Sequence, residues 1–186
     1  MGPQGLQGEK GNPGDCVACP CHCDETEFAQ LYSILDQTLL ASTGIDAAGG
    51  AVLFEQLVHA TANIDVSNAA ALGEIKILKA GWYTIEQEVC GALNPLSSPL
   101  ISWGLAFFKN GAIIPGSLFV DMTLSPEQQA NNTSTLFIGH LDAGDVLTLN
   151  NMTQQNLILN AFAAGTFGIY AQSNSASFRI ASLKLD

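Results

Sequence analysis

The chain predicts an all-β protein, a jelly-roll sandwich of two sheets that assembles in threes, and three observations in its 186 residues carry that reading. From residue 50 onward, about ten short runs of alternating or apolar residues are separated by Gly- and Asn-containing turns, and no helical period survives among them. Glycine stands at every third position over Gly2, Gly5, Gly8, Gly11 and Gly14. That period belongs to a triple helix of three parallel chains, whose crowded axis admits only glycine. Between the two regions, Phe28, Tyr32, Leu35 and Leu39 recur at four-three-four spacing, the spacing of a coiled-coil seam.

Residues 1–15 read as a collagen-like stub, with Pro3 in the X position and Pro13 in the Y position. Met1 runs straight into the triplet register, which suggests a piece of a longer collagen-like protein. At roughly 3.1 Å per residue the stub spans only about 45 Å, too little to hold three chains together unaided. Later residues must therefore do the trimerising.

Residues 16–23 hold Cys16, Cys19, Cys21 and Cys23 around His22. Three readings stay open. The thiols could form an interchain disulfide knot worth roughly 2–4 kcal/mol per bridge. They could instead bind a thiophilic metal, Cys16-x-x-Cys19 having ligand-like spacing. They could also remain free for attachment to partner proteins.

Residues 24–43 read as a helical neck. Asp24 followed by Glu27 is a capping-box pattern, and Thr43-Gly44 is a stop signal. Burying four large side chains supplies about 6–12 kcal/mol, against roughly 1–2 kcal/mol per residue to fix the backbone. A lone helix of this length is marginal, so a parallel three-stranded bundle through Phe28, Tyr32, Leu35 and Leu39 is expected.

Residues 44–186 form the expected head. Its strands are read at 52–58, 74–78, 82–90, 101–109, 112–120, 135–141, 146–150, 157–161, 167–171 and 177–185. Asn110-Gly111 between two apolar runs is the strongest hairpin signal. Cys90 reads as a small buried hydrophobe within a strand.

Composition narrows the function. Apolar residues make up 47% of the chain and charged residues only 12%, so part of the surface is expected to be hidden against copies of itself. A trimer would carry a net charge of −33 (three times −11), which disfavours nucleic acid and anionic membranes as partners. No apolar run approaches the roughly 18 residues needed to span a bilayer. Eight acidic residues between Asp24 and Glu74, with no Lys or Arg among them, read as a solvated face rather than a metal site. His59 and His140 lack a nucleophile or carboxylate at motif spacing, and Trp82 and Trp103 read as core or interface aromatics. No catalytic residue and no cofactor are expected.

Short motifs in the head carry a family resemblance. Gly81-Trp82-Tyr83-Thr84-Ile85, Phe107-Phe108-Lys109-Asn110-Gly111, Leu141 to Leu149 around Asp142-Ala143-Gly144-Asp145, and the ending Ala176 to Leu185 resemble motifs of the tumour-necrosis-factor/complement globular-head superfamily. Collagen triplets ahead of such a head resemble the BclA-like collagen-like glycoproteins of the bacterial spore exosporium. The resemblance implies a TNF-like, homotrimeric, non-enzymatic tip that nucleates and registers a collagen stalk on an extracellular surface, with spore-coat or other surface proteins as neighbours. The same architecture would also suit a receptor- or glycan-binding tip of an adhesin or phage tail fibre. The cysteine cluster and the helix depart from the plainest members.

Overall fold

The structure is a computed structural model, and it describes residues 26–93, 102–122, 131–160 and 174–183. The collagen-like glycines Gly2 to Gly14, the cysteines Cys16 to Cys23 and the expected strand at 167–171 lie outside the described residues. Within them the chain forms strands β1 (Phe28–Ser33), β2 (Gln37–Leu39), β3 (Gln56–Ala60), β4 (Ile64–Asp65), β5 (Ile75–Ile77), β6 (Gly81–Leu93) and β7 (Ser102–Lys109). It continues with β8 (Ala112–Ile113), β9 (Phe119–Met122), β10 (Asn131–Leu141), β11 (Val146–Asn151), β12 (Leu157–Leu159) and β13 (Ala176–Leu183); one short helix, α1 (Ala69–Leu72), lies between β4 and β5.

Two antiparallel sheets face each other. The larger runs β2-β12-β6-β13-β1-β3, with β10 pairing the free side of β6, and the smaller runs β4-β5-β11-β7-β8, with β9 on β7. Between them lie Leu31, Ile85, Val89, Phe178 and Ile180 from the first sheet and Trp103, Leu105, Phe107, Leu147 and Leu149 from the second. Phe178 ties the layers, its ring 5.7 Å from Phe54 and 6.1 Å from Phe107. Among the described residues two polar groups are out of place: the Gln87 amide and the Trp103 indole N–H are buried with no hydrogen-bond partner.

Local chemistry explains much of this. Asn110 and Gly111 both take positive φ, 53° and 80°, as a two-residue type I′ turn requires, and Lys109 pairs Ala112 across it. The acidic turn after β10 closes with Asp145 N–H donating to Asp142 C=O at 3.1 Å, and Gly144 supplies its positive φ. The Asp145 carboxylate then accepts from Asn110 Nδ2 at 2.7 Å and from Asp142 N–H at 2.8 Å. Lys109 Nζ lies 3.4 Å from it. One side chain thus joins two turns that are 32 residues apart in sequence (from Asn110 to Asp142). Burial alone would raise the pKa of Asp145; these donors outweigh it and hold the carboxyl below its usual range.

The helical neck is overturned. Residues 28–33 and 37–39 are strands of the larger sheet, and no coiled-coil seam exists in them. Phe28 and Tyr32 share one side of β1, Leu39 is buried in the core, and Leu35 sits in the bend between the strands at 57% exposure. The four positions that a 3.5-residue period would align are therefore scattered. The physical reason is tertiary: β1 pairs with β13 over six residues and with β3 on its other side, burying Ala29, Leu31 and Ser33. That pairing outweighs a helix which is marginal on its own. The expected boundary at residue 44 disappears with it, because the head's first strand begins at Phe28.

Smaller corrections follow the same rule. The expected strand 112–120 is two, β8 and β9, separated by a turn at Gly116 with φ of 80°. The expected strand 52–58 is replaced by β3, which begins at Gln56 and runs on to Ala60, with Ala51 contributing an isolated bridge to Asn150. Cys90 is half-buried rather than fully buried.

Candidate functional site

The candidate site is the face of the larger sheet turned away from the core. Alternation along β6 sends Tyr83, Ile85, Gln87 and Val89 inward and Trp82, Thr84, Glu86, Glu88 and Cys90 outward. Register then lays the outward residues in rows across the strands. Leu183, Trp82 and His140 form the first row, and Phe28, Ala181, Thr84 and Ile138 the second. His59, Gln30, Arg179, Glu86 and Leu136 form the third, and Gln56, Tyr32, Ser177, Glu88 and Ser134 the fourth.

The face is mixed in a definite way. Trp82, Leu136 and Ile138 are 44%, 58% and 53% exposed, a contiguous apolar stretch over β6 and β10. Toward the third and fourth rows it becomes polar, forming a depression of about 450 Å³ whose walls include Gln30, Glu86, Glu88, Ser134, Ser177 and Arg179. Arg179 lies 3.7 Å from Glu86 and 5.3 Å above the Phe28 ring. Both described histidines lie here against aromatic rings: His59 stacks on Phe28 at 6.1 Å, and His140 meets Trp82 edge-on at 5.8 Å. The Cys90 thiol is pushed to higher pKa by burial and by the Glu88 carboxylate, so it is a poor nucleophile.

At the end of the sheet where β1 begins, Glu27 forms a latch. Its carboxylate accepts from Thr61 Oγ1 and Asn63 Nδ2, both at 2.8 Å, with Lys79 Nζ at 3.4 Å. Its backbone joins Ser182 of β13 in both directions, at 2.9 and 2.8 Å. The residue read from sequence as the capping-box partner of Asp24 is thus a buried carboxylate that fixes the first strand. Burial alone would raise its pKa, but the hydrogen bonds from Asn63, Thr61 and Lys79 outweigh it and lower the pKa. A lowered native pKa means stability that is present above the unfolded carboxyl's ordinary value of 4.5 and is lost as pH falls below it. Glu27→Gln should lower the melting temperature near neutral pH by roughly 4–8 °C, for a loss of about 2 kcal/mol. The deficit should shrink as pH falls toward the acid range. Melting curves that differ by a constant amount at all pH values would refute the latch.

Among the described residues, no group of three His, Cys, Asp or Glu side chains is placed to hold a metal. Of the residues singled out in the sequence, Phe28, Tyr32, His59, Trp82 and His140 meet on this one face, whereas Trp103 is fully buried in the core. Leu136, Ile138, Glu86 and Arg179 were missed. Their signal was present: in β10 and β13 both parities carry apolar residues, which indicates strands covered on both sides.

No known family model and no curated protein sequence matches the chain. Solved structures do. Murine APRIL superposes with a TM-score of 0.54 at 12% identity, covering 86% of this chain and all of that one. The Eiger TNF of S. frugiperda gives 0.57 at 13% identity, covering 87% of this chain and 94% of that one. The globular domain of zebrafish complement 1qA gives 0.53 at 9% identity, covering 86% and 99%. The chain has the TNF/C1q jelly-roll fold. In this TNF/C1q-like head the sequence motifs find their geometry: Gly81 opens the long strand β6, Asn110-Gly111 turns β7 into β8, and Asp145 clamps the acidic turn to that hairpin. No helix of the described residues is long and apolar enough to cross a membrane.

Proposed function

We propose that this chain is the trimerisation head of a bacterial collagen-like surface filament, a structural module without catalysis, set on the spore exosporium or a comparable extracellular surface. One observation carries the reading: the outer face of the larger sheet leaves Trp82, Leu136 and Ile138 exposed side by side, with Phe28, Ala181 and Leu183 in the same two or three rows. Contiguous apolar exposure of this kind marks a surface that is covered in the working assembly.

The triplets support three as the number of copies. Only residues 24–27 separate Cys23 from Phe28, so the start of β1 lies within about 17 Å of the cysteine cluster even in a fully extended chain. Three stubs wound on one axis would hold three β1 strands, and the faces they share with β13 and β6, close to that axis. Cys16, Cys19, Cys21 and Cys23 would then lock the register at the junction. The resemblance to BclA-like proteins supports the spore surface.

Light scattering on the whole chain tests this. A mass of 58.5 kDa (three times 19.5) is expected, with cross-linked chains on denaturing electrophoresis without reductant. A stable monomer in solution overturns the reading.

A further inference from the structure

We propose that Asn110 is the chain's principal deamidation site and that the Asp145 carboxylate keeps it closed while the head is folded. The chain contains a single Asn-Gly pair, Asn110-Gly111. A glycine after asparagine gives its backbone nitrogen the freest approach to the side-chain amide, because no Cβ stands in the way. Both residues are exposed, and a Cβ built at Gly111 would meet no atom within 4 Å. Packing therefore gives the pair no cover.

The protection lies instead in the Asn110 side chain, which is held at both ends. Its Nδ2 donates to Asp145 Oδ1 at 2.7 Å, and its Oδ1 accepts from Val146 N–H at 2.9 Å. The Asn110 backbone N–H also donates to Val146 C=O, at 2.9 Å. Asp145 is itself fixed, accepting from Asp142 N–H at 2.8 Å with Lys109 Nζ at 3.4 Å. Its lowered pKa keeps it an ionised acceptor through the neutral and alkaline range in which deamidation runs.

Deamidation begins when the Gly111 backbone nitrogen attacks Asn110 Cγ. A C–N bond forms, the Cγ–Nδ2 bond breaks, and the amide nitrogen leaves as ammonia with the proton of the Gly111 N–H. Water then opens the succinimide ring at either carbonyl, giving aspartate or the β-linked isoaspartate. The attack needs a near-attack arrangement of nitrogen and carbon, and it turns the planar Cγ tetrahedral. Oδ1 and Nδ2 then leave the plane that Val146 and Asp145 fix. Two hydrogen bonds, one of them to a charged acceptor, must be lost first. The product also undoes the clamp, because a carboxylate in place of Nδ2 faces Asp145 as a like charge.

Peptide mapping by mass spectrometry tests this on the full chain as wild type, Asp145→Ala and Lys109→Ala, incubated warm at mildly alkaline pH in buffer and in denaturant. Conversion of Asn110 in folded wild type should run at least about tenfold slower than in denaturant. Asp145→Ala should lose most of that protection while keeping its far-UV β spectrum. Lys109→Ala leaves both Asn110 side-chain bonds in place and should stay within about threefold of wild type. Asp145→Ser replaces the alanine variant if that chain loses its β spectrum. Folded wild type that converts as fast as the denatured chain overturns the inference, as does a folded Asp145 variant that stays as slow as wild type. Faster conversion of another asparagine in denaturant overturns the choice of Asn110.

Discussion

Replacing Leu136 and Ile138 together by glutamate is expected to turn the proposed trimer into a folded monomer. Both side chains are more than half exposed in the single chain, so the substitution costs the isolated head little, within about 0.5 kcal/mol per site. In the assembly the account differs. Each chain would bring two new carboxylates to a face that already holds Glu86 and Glu88, with Arg179 as the one Lys or Arg side chain in the rows described. A buried, unpaired charge costs several kcal/mol, so the association constant should fall by more than about a thousandfold. Sedimentation velocity should show the monomer mass, and far-UV circular dichroism should keep the β spectrum. Ile45→Glu is the control, since Ile45 is 96% exposed on a loop away from this face, and it should stay trimeric. A double variant that remains trimeric would mean that the subunits meet elsewhere.

Trp103→Ala should lose about 3–5 kcal/mol of stability, a large share of the roughly 5–15 kcal/mol a domain ordinarily possesses. The ring is fully buried in β7 and packs so closely on β6 that a Cβ at Gly91 would come within 3.0 Å of it. The indole N–H has no hydrogen-bond partner, so the loss is one of packing and cavity formation rather than of a hydrogen bond. Thermal unfolding followed by circular dichroism should show a fall of about 10 °C or more. An unchanged midpoint would show that the ring is not part of the core. Trp103 can therefore not serve as a stacking platform for sugars, and loss of glycan binding on this substitution would report unfolding. Trp82 is the tryptophan with an exposed ring.

Much of the sandwich was legible from local chemistry. Strands β6, β7 and β11 announce themselves as apolar or alternating runs between glycine turns, and the Asn110-Gly111 hairpin needs only the two residues that tolerate positive φ. The first strands were not legible. Phe28, Tyr32, Leu35 and Leu39 match a helical period in isolation, and nothing local indicates that β13, about 150 residues later, will pair with β1 residue for residue. Glu27 shows the same limit: three residues after Asp24 it looks like the partner in a capping box, whereas its own partners Thr61 and Asn63, and Ser182, come from two distant segments. The outer face was hidden for a related reason, since apolar residues on both parities of a strand do not say which parity meets the core and which meets another chain.

The all-β class, the Asn110-Gly111 and Asp142–Asp145 turns and the threefold expectation were legible along the chain, because turn chemistry, two-residue alternation and glycine period are short-range properties. Only the tertiary structure decided where the head begins and which side chains form its candidate interface. Strand pairing is long-range: register between β1, β13, β6 and β10 places Trp82, His140, Phe28, His59 and Arg179 on one surface, and no spacing along the chain contains that register.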